Sequence, residues 1–169
     1  PNKIMKGKVV VITGSNSGIG RITATEIAKM GAQVVMVCRN EQKAKAVQED
    51  INALTGLGNC DLFICDISSH ASFKNFAKEI RMRYNHIDVL INNAGVIVGE
   101  REISKDGFEM MFATNHISYF LVTHYLLDLL KASENARIVN VASLAHRFTN
   151  MNWNNLQAEK NFNSWIQYG

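Results

Sequence analysis

Gly14, Gly18 and Gly20 punctuate the stretch "VVVITGSNSGIG", which runs from β-branched apolar residues through a polar turn into a helix-forming segment. Glycines at such a turn let the backbone approach a pyrophosphate closely, and the free N–H groups where a helix starts attract its charge. The spacing is GxxxGxG rather than the commoner G-x-G-x-x-G, but the strand–turn–helix setting supplies the same physics. The chemistry on offer is the binding of a dinucleotide.

Arg39 follows a second apolar run, "QVVMVC". An acidic residue at this place accepts hydrogen bonds from the ribose 2′-hydroxyl of NAD, whereas a guanidinium presents a planar donor fork to a 2′-phosphate. Cys38 and Asn40 flank it, and the nearest acid is Glu41. The expected cofactor is therefore NADP(H), preferred by more than about tenfold through a charge-assisted contact of about 1.5–3 kcal/mol. "LFICDIS" brings Asp66 and Ile67 to the end of a third run, and "VLINNAG" brings Asn92, Asn93, Ala94 and Gly95 to the end of a fourth. Small residues there permit close approach of a ligand, and an asparagine can bond neighbouring backbone across a sheet. The carboxyl ends of successive strands are where ligands bind in open α/β sheets.

The elements that must position these residues alternate along the chain. Runs at 8–13, 33–38, 62–65, 89–92 and 137–143 read as strands, each apolar on both faces as in a sheet covered on both sides. Helical patterns lie between them. One covers 18–30 with Ile19, Ile22, Ile27 and Met30 as its apolar face, and another covers 41–55. A third covers 69–84 with Phe73, Phe76, Ala77 and Ile80 at helical spacing, and a long helix over 107–131 carries an irregularity near Asn115. Such alternation predicts one Rossmann-like domain over 1–169, a doubly wound parallel α/β sheet with right-handed crossovers. The commonest order of this fold has a sixth strand. The expected sheet is thus truncated after strand five, which would stand as an exposed edge.

Composition narrows the classes. A chain of 169 residues, 47% hydrophobic and 20% charged, can bury a core of its own. A net charge of +3 suits a small anion and lacks the clustered basic stripe of a nucleic-acid binder. Cys38, Cys60 and Cys65 show no CxxC spacing and are expected to be reduced, in a cytosol-like compartment. No apolar run reaches the roughly 18 residues of a membrane-spanning helix. The five histidines form neither an i,i+4 pair nor HExxH, so no metal site is expected. Ser143 and His146 lack the GxSxG setting of a hydrolase nucleophile.

Taken in order, these motifs resemble the short-chain dehydrogenase/reductase family over essentially the whole chain. "TGSNSGIG" matches its cofactor loop, "NNAG" its fourth-strand motif, "VNVAS" the strand that ends in its catalytic serine, and "TNHISYFLVT" the helix that carries its catalytic asparagine. "VCRN", "DGFEMMFATNHISYFLVTHYLLDLL" and the long gap between Ser143 and Tyr168 are most similar to the NADP-preferring branch of retinol dehydrogenases and WW-domain-containing oxidoreductases.

The resemblance implies reversible hydride transfer between nicotinamide and a carbonyl or alcohol substrate. It implies catalytic roles for Tyr168 as general acid/base, Ser143 as holder of the substrate oxygen, and Asn115 as support for a proton-relay water. It assigns cofactor contacts to Gly14, Ser15, Asn16, Ser17, Gly18, Ile19, Gly20, Arg39, Asp66, Ile67, Asn93, Ala94, Gly95 and Tyr168. The family pattern is Tyr-x-x-x-Lys, and "YG" supplies only its start. A phenol ionises near pH 10 and needs a neighbouring cation to work near neutrality. A polypeptide ending at Gly169 is accordingly expected to be inactive, and the sequence to belong to a longer parent. The resemblance also implies a homodimer for the full-length protein and a place in the cytosol or on the cytosolic face of an internal membrane. It leaves membrane association of a longer parent open. Phe148, Trp153, Phe162 and Trp165 either line an entry for an apolar substrate such as a retinoid, steroid or lipid aldehyde, or pack onto the core. The alternative to an enzyme is a degenerate family member that binds nucleotide and serves as a regulatory or interaction module. The residue four places after Tyr168 discriminates the two.

Overall fold

The computed structural model describes residues 4–169. Five strands, β1 (Val9–Thr13), β2 (Gln33–Cys38), β3 (Cys60–Ile64), β4 (Val89–Asn92) and β5 (Arg137–Asn140), form one parallel sheet in the order β3-β2-β1-β4-β5. The chain therefore winds outward from β1 through β2 to β3, then returns to set β4 against the other side of β1. Its direction reverses between β1 and β4, and that is where the ends of the strands leave a crevice in a doubly wound sheet.

Side chains of β1 alternate between two cores, as the two-residue repeat of a strand requires. Val9 and Val11 join Val35, Phe73, Phe76 and Leu126 on one face, while Val10 and Ile12 join Ala24, Ala28, Met36 and Ile51 on the other. Helices α1 (Gly18–Lys29) and α2 (Glu41–Thr55) cover the second face; α3 (His70–Arg83) and α5 (Ser118–Lys131) cover the first. Helix α2 keeps the bounds read from sequence because both ends are chemically marked. Asn40 caps its start by accepting the Lys43 N–H, and Gly56 closes it in the left-handed conformation.

The structure corrects three sequence expectations. Helix α1 does not bury Ile19 or Ile22, which are 69% and 65% exposed. Gly20, Ala24 and Ala28 face the sheet instead, because small residues at four-residue intervals let the helix lie close to it. Burial on both faces holds for β1 and most of β2 and β4, but not for the edges. Ile64 on β3 and Ile138 and Val139 on β5 are exposed. The long helix starts at Met110 rather than 107. Gly107 has φ +83, and Ile103 bridges Glu109 in a tight hairpin that ends at the helix. The irregularity near Asn115 is a π turn, Ala113–Ile117, between the single turn α4 (Met110–Phe112) and α5. Of the two roles open to the aromatics after Ser143, packing onto the core is not taken by Phe148, Trp153 and Trp165, which are 80%, 75% and 73% exposed. They lie in a segment of turns that holds a 3-10 helix (Leu144–Phe148) and the short α6 (Ser164–Tyr168).

Asp88 pins the amino ends of the sheet. Its carboxylate accepts from the Val9 N–H at 2.8 Å, Lys8 Nζ at 2.9 Å and Ser133 Oγ at 2.9 Å. Burial works to raise its pKa, but these bonds outweigh it and hold the carboxyl below the ordinary value. The stability it contributes is thus complete above the unfolded carboxylate range and disappears as pH falls through the lower folded value. Asp88→Asn is expected to cost about 2–3 kcal/mol at neutral pH and to flatten the acid limb of a stability–pH curve measured by urea unfolding.

Candidate cofactor cleft

A cleft of about 980 Å³ opens over the carboxyl ends of the strands, between the turn after β1 and the segment after β5. It is at the upper end of the range for small-molecule sites. Gly14, Asn16, Ser17, Gly18, Ile19, Gly20, Arg39, Asp66, Ile67, Asn93, Ala94, Gly95, Ser143 and Tyr168 all line it. Residues distant in sequence and singled out for one ligand thus meet around one space.

Each motif is built locally. Gly14 has φ +66, and a Cβ there would lie 2.8 Å from the Cα of Ala94. At Gly20 a Cβ would lie 2.4 Å from both Asn93 Nδ2 and the Gly14 carbonyl. The turn, the start of α1 and the strip after β4 are therefore interlocked at van der Waals contact, and only glycine fits at either joint. Thr13 supplies the polar fastening. Its Oγ1 accepts the N–H groups of Asn93 and Ala94, both at 3.0 Å, while Asn93 Nδ2 donates to the Thr13 carbonyl at 2.9 Å. Ser17 at the N-cap of α1 makes no side-chain cap, and no acidic residue occupies the first turn. The helix start thus has neither a side-chain cap nor an acid of its own, a setting whose dipole favours an anion.

At the far end of the cleft, Arg39 and Lys43 are both lining residues. Lys43 reads from sequence as a solvated helix charge; the structure brings it to the cleft from the first turn of α2. Glu41, the nearest acid, pairs with Lys45 at 2.7 Å, and that partner holds its carboxyl below the ordinary range. Among the described residues, neither Arg39 nor Lys43 has an acidic partner within ion-pair distance. Cys38 and Cys65 also border the cleft, where burial pushes both thiols up, Cys65 to about 11. They are unreactive walls, not nucleophiles.

Two expected site residues stand behind the cleft surface. Ser15 is buried, its hydroxyl donating to the Ile12 carbonyl at 3.1 Å. Asn115 spends its amide on Val96, accepting the N–H at 2.8 Å and donating to the carbonyl at 2.8 Å. It fixes the strip whose Gly95, Val96 and Ile97 form the cleft wall. Asp66 turns one carboxylate oxygen onto Ser68, accepting its N–H at 3.1 Å and its hydroxyl at 2.7 Å. Ser143 accepts the Ala145 N–H at 3.2 Å, which leaves its hydroxyl hydrogen free to donate. Thr13 and Lys43 escape sequence reasoning. A threonine ending the buried run directly before Gly14, and a second cation four residues after Arg39, are the signals that were available.

Comparison with known proteins agrees with this geometry. The family model of short chain dehydrogenases matches residues 8–163. Retinol dehydrogenase 11 of Homo sapiens is 44% identical over 164 residues, covering 97% of this chain and 52% of that protein. Retinol dehydrogenase 13 of Homo sapiens is 41% identical over 152 residues, covering 87% and 46%. The chain spans about half the length of the curated relatives it matches. Among solved structures, a short chain dehydrogenase from Escherichia coli CFT073 complexed with NADPH superposes with a TM-score of 0.79 at 25% identity, covering 99% of this chain and 67% of that one. A protein from Mycobacterium paratuberculosis superposes with a TM-score of 0.84 at 33% identity, covering 97% and 57%. With a family model spanning nearly its whole length and the matching motifs gathered on one cleft, this chain belongs to the short chain dehydrogenase family, in its retinol dehydrogenase branch.

Proposed function

We propose that the chain forms the nucleotide-binding and proton-transfer part of an NADP(H)-dependent oxidoreductase acting on an apolar carbonyl or alcohol. The observation that carries this reading is the convergence of the glycine turn, two unpaired cations, Ser143 and Tyr168 on a single cleft. Residues 17–20 would hold the pyrophosphate, Arg39 and Lys43 a 2′-phosphate, and Asp66 and Ile67 the adenine edge. NADP(H), when bound, supplies or accepts the hydride at C4 of its nicotinamide.

The chain's own residues then handle the substrate oxygen. Ser143 donates its free hydroxyl hydrogen to that oxygen, and Tyr168 gives it a proton in reduction or removes one in oxidation. Asn115 acts through Val96, holding the wall beside the nicotinamide end. An apolar substrate, of retinoid, steroid or lipid aldehyde type, is supported by the names of the relatives and by exposed Phe148, Trp153 and Trp165 on the segment between Ser143 and Tyr168. Exposed Phe120 on α5 supports pairing of two copies along that helix. No helix among the described residues is long and apolar enough to cross a membrane, and we place the protein in the cytosol or on the cytosolic face of an internal membrane.

Calorimetric titration with NADPH and NADH tests the reading. NADPH is expected to bind more than about tenfold more tightly. Equal affinities would remove the role of the two cations, and uptake of neither would overturn the proposal.

A further inference from the structure

Helix α6 carries Tyr168, yet it is five residues long and buries none of its side chains. A helix this short has no stability of its own, so something polar must seat it. Ser164 Oγ donates to the Val98 carbonyl at 2.5 Å, and Gln167 Nε2 donates to Glu109 Oε2 at 3.0 Å and to the Leu156 carbonyl at 3.2 Å.

Glu109 is the unusual member. It has no exposed surface, and among the described residues no lysine, arginine or histidine pairs with it. Three N–H groups replace a cation. Met111 N donates to Oε1 at 2.9 Å, Phe112 N to Oε2 at 2.8 Å, and Gln167 completes the set. The first two are the orphan donors that begin the helix leading to Asn115. The Glu109 N–H in turn donates to Gln157 Oε1 at 2.7 Å, on the same segment that leads to α6.

We propose that Glu109 is a positioning residue for the proton-transfer site: its buried carboxylate, acting through Gln167, seats the helix bearing Tyr168 on the helix bearing Asn115. This rests on the reading of Tyr168 as the acid/base. A carboxylate is needed because it only accepts. In Glu109→Gln the new amide must turn its NH₂ either toward the Met111 N–H or toward both the Phe112 N–H and the Gln167 amide, setting donor against donor in a dry place. Gln167→Glu sets two carboxylates face to face. With both changes, an amide at position 109 can donate to a carboxylate at position 167 while its oxygen keeps the Met111 N–H; this remakes the link between the two helices and leaves the Phe112 N–H and the Leu156 carbonyl without their partners.

Amide hydrogen exchange on the wild-type chain, E109Q, Q167E and the double variant tests this, with NADPH affinity measured on each. In Q167E, residues 164–169 are expected to exchange at least about tenfold faster than in wild type, in E109Q by a smaller factor because one amide orientation keeps the Gln167 bond, and in the double variant at least about threefold slower than in Q167E. Strands β1, β2 and β4 should be unchanged, and NADPH affinity should stay within about threefold. Unaltered exchange in Q167E, no recovery in the double variant relative to Q167E, faster exchange spread across the sheet, or fast exchange of 164–169 already in wild type would each overturn the proposal. If the wild-type chain takes up neither NADPH nor NADH, the nucleotide reading falls while the exchange pattern still judges the clamp.

Discussion

Gly20→Ala is expected to abolish measurable nucleotide binding and to lower the melting temperature by about 6–12 °C, the equivalent of about 3 kcal/mol in a chain of this size. A methyl group there would sit 2.4 Å from Asn93 Nδ2 and from the Gly14 carbonyl. Neither can step aside cheaply. Asn93 Nδ2 is already committed to the Thr13 carbonyl at 2.9 Å, and the Gly14 carbonyl belongs to a turn whose own Cα presses on Ala94. The alanine must therefore push α1 off the sheet or break the fastening between β1 and β4. Gly18→Ala is the informative companion. Nothing lies within 4 Å of a Cβ there, although φ is +51, so the folding cost is only the left-handed strain of about 1–2 kcal/mol. Its methyl group would project from a residue that lines the cleft, and affinity should fall further than stability. Scanning calorimetry with and without NADPH separates the two effects. A Gly20→Ala protein that melts like wild type would contradict the interlocked joint.

Arg39→Ala is expected to weaken NADPH binding by about 10- to 100-fold while leaving NADH within about threefold. A guanidinium without an acidic partner keeps its donors for a 2′-phosphate, and a ribose hydroxyl gains little from them. Lys43→Ala should act in the same direction by a smaller factor, since a lysine presents a point charge rather than a planar fork. Raising salt should narrow the gap between NADPH and NADH, because both cations stand at an open cleft and are screened. Loss of affinity for both nucleotides in equal measure would point to a general electrostatic role instead. No change in either would assign the 2′ end of the ligand elsewhere.

The parts of this molecule legible in sequence are those whose physics is local. β1 and β2 announce themselves because strands covered on both sides need unbroken β-branched runs, and α2 because Asn40 and Gly56 mark its ends. The glycine turn was legible because no other residue tolerates such close backbone approach. Misreadings arose where distance along the chain decides. Ile19 and Ile22 look like a core face until the sheet is seen to prefer Gly20, Ala24 and Ala28. Lys43 is exposed as its helix setting implies, but the cleft it borders is assembled with Gly14, Asp66 and Asn93 from other parts of the chain. Glu109 attracts no notice as one acid in "DGFEMM", because its partners Gln157 and Gln167 lie far down the chain and helical periodicity is silent about them.

The π turn at Ala113–Ile117 amounts to one surplus residue accommodated inside a helix. Upstream of it Met111 points inward, and downstream Val122, Leu126 and Leu129 line up on the sheet. Deleting a single residue from 113–117 would restore a regular spiral and swing everything beyond it by about 100°. Either the aliphatic row of α5 would leave its seat or Asn115 would lose Val96. The insertion is a phase shifter. It lets one continuous rod serve two masters, the hold on Val96 at its head and packing along its shaft, which no unbroken 3.6-residue repeat could satisfy at once.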